Sequence, residues 1–112
     1  MLFRSLEDAA HVLELDPNCV DALVLRGGFH WLRGDPQAAI QDYTRALELD
    51  PLNVPALLAR AAALRGTEGD AGRALADLTR VLELEPETAS NWLLRGQFRL
   101  VERDLEIGRA HV

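Results

Sequence analysis

"LELDP" spans Leu13–Pro17, returns at Leu47–Pro51, and comes back as "LELEP" at Leu82–Pro86. A recurring acidic phrase can be a ligand site, a low-complexity tract or the punctuation of a repeat, and spacing separates the three. Pro17 to Pro51 is 34 residues and Pro51 to Pro86 is 35. Other features keep the same step. Val20–Gly27 aligns with Val54–Ala61 and with Ala89–Gly96, while Asp42–Leu47 aligns with Asp77–Leu82 and, more loosely, with Asp8–Leu13. The additional residue falls in Arg65–Asp70, opposite Leu32–Asp35, where a turn absorbs an insertion without shifting a core face. A period of this length is the signature of stacked helical hairpins.

Each unit reads as two helices. In the first, Ala22, Leu23, Leu25, Arg26, Phe29 and His30 recur at three- and four-residue steps. Gly34 breaks it, Asp35 is placed to cap the next helix, and Pro36 suits that helix's first position. The second helix carries Ala39, Ile40, Tyr43, Ala46 and Leu47 on one face and stops before Pro51. Gly27 and Ala39 are small where the two helices approach, as are Ala61 and Ala74 in the next unit, which Asp70 would cap.

The run "LVLRGGFHWLRGDPQAAIQDYTRALELDP", Leu23–Pro51, resembles the tetratricopeptide repeat, a 34-residue helix–turn–helix family. It matches the family's Arg-Gly, Gly-Asp turn, second-helix Ala and closing Pro in register. His30, Leu64 and Arg99 depart from it, since an aromatic is usual there. The resemblance implies an all-α fold of antiparallel hairpins stacked into a right-handed α-solenoid. In this register residues 1–17 are the second helix of a partial repeat, 20–53 and 54–88 are full repeats, and 89–106 is a partial one. A first helix is expected over 89–102, with Asp104 opening a second. Both ends fall inside a unit, so a fragment of a longer array is expected. The pattern fails after Glu106, and residues 107–112 resemble a translated sequencing adapter, which marks them as a non-native tail.

The rest of the composition excludes several functions. With 18 acids against 12 bases, all arginine, the net charge is −6, and no basic stripe is present to attract nucleic acid. No apolar run reaches the roughly 20 residues of a membrane span. A single cysteine, Cys19, rules out an internal disulfide framework and fits a reducing compartment, so a cytoplasmic protein is expected.

Candidate chemistry is sparse. Arg33-Gly34-Asp35 spells an adhesion tripeptide, but in register it is a helix end and a cap. His11, His30 and His111 lie at no metal-ligand spacing, and His30 is expected to be a half-buried packing residue. Glu14, Glu48 and Glu83 form a solvated face. No nucleophile–base pair or phosphate loop is present, so neither metal, cofactor nor catalysis is expected. One polar pairing does recur: Arg26, Arg60 and Arg95 share a first-helix position, and Asp8, Asp42 and Asp77 a second-helix position. Arg–carboxylate bridges are expected between them, and the sequence leaves open whether Arg26 takes Asp8 or Asp42.

In the resembled family the first helices line a concave groove that holds a protein or peptide partner. Carried onto this chain, that groove comprises Asp21, Val24, Gly28 and Trp31; Pro55, Leu58, Ala62 and Arg65; and Ser90, Leu93, Gln97 and Leu100. A well-known subgroup grips heat-shock chaperone C-termini with a clamp of Lys, Asn, Asn, Lys and Arg. Val24, Gly28, Ala59, Ser90 and Leu94 stand at the matching places, so chaperone-tail binding is not expected. The expected function is a protein–protein interaction scaffold. The alternative is a regulatory or substrate-recruiting array of a larger enzyme.

Overall fold

The computed structural model describes residues 2–65 and 70–110, with side chains over 4–65 and 70–101. Six helices follow in order: α1 Leu2–Leu15, α2 Val20–Leu32, α3 Pro36–Leu49, α4 Val54–Arg65, α5 Ala71–Leu84 and α6 Ala89–Ala110. No strand occurs among the described residues. Each helix packs on its neighbours in sequence, and α2 also touches α4, so the first helices of successive hairpins lie side by side. The stack measures 51 × 33 × 24 Å.

Local chemistry sets the boundaries. α2 ends because Gly34 adopts φ +80°, a left-handed conformation that costs glycine little. The Gly34 and Asp35 N–H groups there donate to the Trp31 and His30 carbonyls at 3.0 and 2.9 Å. Asp35 Oδ1 accepts from the Ala38 N–H at 3.2 Å, and Pro36 takes the first turn of α3, where its missing N–H is not needed. Asn53 opens α4 in the same way, its Oδ1 accepting from the Ala56 N–H at 2.9 Å. The "LELDP" phrase is confirmed as a helix end, with the Asp50 N–H closing onto the Ala46 carbonyl at 2.8 Å.

Two apolar clusters hold the hairpins together. One gathers Ile40, Tyr43, Leu64, Leu78 and Phe98; the other gathers Leu23, Leu47, Leu57 and Val81. Ala39, Ala46, Ala61 and Ala74 are fully buried where helices approach closely. Gly27 is under the tightest constraint, since a Cβ there would stand 2.5 Å from the Tyr43 ring.

Two boundary expectations need correction. α6 does not turn at Asp104 but runs unbroken from Ala89 to Ala110. Arg103 stands where Gly34 breaks α2, and a residue with a Cβ does not readily take the left-handed conformation that ends the helix. Asp70 occupies the N-cap position of α5 but makes no capping hydrogen bond; it lies instead 3.7 Å from Arg73. The one-residue insertion falls partly on residues 66–69, and His111 and Val112 end the tail; all of these lie outside the described residues.

Candidate partner-binding groove

Trp31 at the end of α2, Gly34 and Pro36 of the following turn, and Ala62, Ala63 and Arg65 on α4 line an open cavity of about 520 Å³. Trp31 is 47% exposed although it is among the largest apolar side chains in the chain. Ala62 and Arg65 are exposed there as well, while Ala63 is buried. Arg65 also lies over the Phe98 ring at 4.8 Å, a cation–π contact that ties the site to α6. Such a surface can seat an apolar side chain and offer a cation beside it. It presents no nucleophile or general base.

Of the groove positions carried over from the repeat pattern, Trp31, Ala62 and Arg65 meet at this cavity. Val24 and Leu58 are half-buried and spend much of their surface on the clusters between hairpins. Ala59 and Leu94 pack against the same core. Gly28 is half-buried, 3.8 Å from the Tyr43 hydroxyl when a Cβ is placed on it. Asp21, Pro55, Ser90, Leu93, Gln97 and Leu100 are exposed and do not line the cavity. The sequence pattern missed Gly34, Pro36 and Ala63. The turn carries the first two beside Trp31, and the capping motif was their only signal.

Beneath this surface the arginines take their carboxylates within a hairpin. Arg26 Nε and Nη2 donate to Asp42 Oδ2 and Oδ1 at 2.9 and 2.7 Å. Arg60 Nε and Nη2 donate to Asp77 Oδ2 and Oδ1 at 2.8 and 2.7 Å. These hydrogen bonds raise both guanidinium pKa values further above the usual arginine range, against the opposing effect of burial. Half-buried His30 also approaches Asp42, with Nε2 3.7 Å from Oδ2. Burial raises the Tyr43 phenol above its ordinary value, and the Asp42 charge adds to this. Asp8 is exposed, and Arg95 lies over the Trp92 ring at 4.9 Å. The phrase glutamates are exposed, Glu48 bonded to Arg45 at 3.1 Å and Glu83 to Arg80 at 2.9 Å. Among the described residues no group of three or more His, Cys, Asp or Glu is placed to hold a metal ion.

Residues 4–54 match the family model of the tetratricopeptide repeat. The first TPR of Spaghetti (RPAP3), bound to the HSP90 peptide SRMEEVD, superposes with a TM-score of 0.81 at 20% identity, over 91% of this chain and 82% of that one. The Arabidopsis OM64 TPR domain gives 0.77 at 24% identity, over 88% and 80%. A mutant O-GlcNAc transferase of Thermobaculum terrenum gives 0.72 at 28% identity, over 77% of this chain and 16% of that one. No curated protein matches the chain. The fold is that of tetratricopeptide-repeat solenoids.

Proposed function

We propose that the chain is a non-catalytic, cytoplasmic interaction module that holds a segment of a partner protein across α2 and α4. The observation that carries this reading is the open cavity lined by half-exposed Trp31, by Ala62 and Ala63, and by Arg65. An exposed indole beside an unfilled apolar hollow is an anchor site: a partner's aliphatic or aromatic side chain recovers the area left open to water. Arg65 then favours an acidic residue or a carbonyl next to that anchor. The partner is a protein and not nucleic acid, because the net charge of −6 repels phosphate. Nor is it a chaperone C-terminus: Val24, Gly28, Ala59, Ser90 and Leu94, which stand at the places of that clamp, carry none of its cations or amides.

Peptides selected from a displayed random library against the 112-residue chain test this. Trp31→Ala and Ala62→Arg are expected to weaken a selected peptide at least about tenfold, the scale of a buried anchor. Trp92→Ala is expected to leave it unchanged, and SRMEEVD is expected not to bind. Selected peptides indifferent to Trp31 and Ala62 would overturn the reading. The similarity to the transferase array favours a second reading, in which this module recruits substrates for a catalytic domain of the same protein. A full-length gene encoding such a domain would support it.

A further inference from the structure

We propose, on the strength of the groove reading above, that the cavity selects a partner segment carrying an acidic side chain beside its apolar anchor, and that Phe98 of α6 sets Arg65 for that acid. Phe29 on α2, Ala63 on α4 and Phe98 on α6 hold one position of the repeat, and all three are buried. Ala63 lines the cavity, so the hollow opens at the helix whose ring is reduced to a methyl group. Arg65 follows two residues further along α4. Phe98 reaches it from the next first helix, its ring centre 4.8 Å from the guanidinium carbon.

A ring orients a cation without cancelling its charge, because it carries a quadrupole and no net charge. Arg26 and Arg60 work differently, each held by a carboxylate that meets its charge inside the hairpin. Arg65 is exposed, and among the described residues lining the cavity it alone is charged. What the cavity adds to apolar contact is therefore a positioned positive charge. A guanidinium favours a carboxylate over an amide of the same shape. The net charge of −6 opposes an acidic segment at long range. In ordinary salt that opposition fades beyond about 8–10 Å, so at contact the nearest charge decides. Phe98 is buried in the cluster of Tyr43, Leu64 and Leu78, so the core fixes its ring. It acts on the partner through Arg65, which makes it a positioning residue.

Peptides selected from the displayed library against the 112-residue chain test this, each compared with a copy whose acidic residue is replaced by the matching amide. The acidic form is expected to bind about three- to tenfold more tightly than the amide form. Arg65→Gln is expected to bring that ratio to about one, and Trp31→Ala to weaken both forms alike. Phe98→Leu is expected to lower the ratio at least about twofold, while Phe98→Tyr, which keeps the ring, preserves it. General loosening of the core would weaken both forms and leave the ratio unchanged. In an Arg65→Gln background, Phe98→Leu is expected to have no further effect on the ratio. Should Phe98→Leu lose helix by circular dichroism, Phe98→Met carries the same comparison. Binding indifferent to Trp31 and Ala62 would sink the groove itself. Peptides that need Trp31 but carry no acidic residue, a native ratio near one, or a ratio unmoved by Arg65→Gln or by loss of the Phe98 ring would overturn this proposal alone.

Discussion

Gly27 and Gly96 occupy one position of the repeat and meet opposite surroundings. At Gly27 the Tyr43 ring fills the space of a Cβ, while at Gly96 that space is open. Gly27→Ala is therefore expected to cost about 1–3 kcal/mol in urea unfolding, the range for overpacking a close contact. Gly96→Ala is expected to stabilise the dilute chain by about 0.5–1 kcal/mol, because alanine is the better helix former where nothing intrudes. The arginine forks differ in degree. Arg60 is 19% exposed and Arg26 35%, and His30 stays near Asp42 when Arg26 is removed. Arg60→Ala is expected to cost about 1–3 kcal/mol by leaving buried Asp77 unbonded, and Arg26→Ala less. At this scale the sequence showed that arginines and aspartates travel together. It could not show which pair, because Asp8 and Asp42 hold the same position of the repeat on either side of Arg26 and only the packing of α3 on α2 distinguishes them.

At the scale of the element, identical letters do unequal work. Asp35 and Asp70 both precede a second helix, yet only Asp35 bonds the helix N-terminus. Replacing Asp35 by alanine is expected to cost about 1 kcal/mol, as for a capping residue. The same change at Asp70 is expected to stay within about 0.5 kcal/mol, as at an ordinary surface site. Thermal unfolding of the two variants by circular dichroism separates them. The five interhelix boundaries from Leu15 to Ala89 were legible because proline, glycine and capping residues mark them. The course of α6 was not: repeat register argued for a turn at Asp104, but register is only an average, and Arg103 lacks the backbone freedom that Gly34 supplies.

For the whole molecule, the solenoid followed from the period, because each hairpin buries its apolar face only against its neighbours. The family resemblance placed Trp31, Ala62 and Arg65 among the groove positions, but it also offered Val24 and Leu58, which the side-by-side packing of α2 and α4 draws halfway into the core. Gly34 and Pro36 escaped because a turn has no period from which to read its facing. The central claim is that a partner segment seats between Trp31 and Arg65. The amide chemical-shift map of the 15N-labelled chain, titrated with a selected peptide, tests it most directly. Perturbations confined to Trp31, Gly34, Ala62, Ala63, Arg65 and their neighbours are the predicted result. Perturbations centred on the outer faces of α3 and α5, leaving Trp31 unmoved, would contradict it.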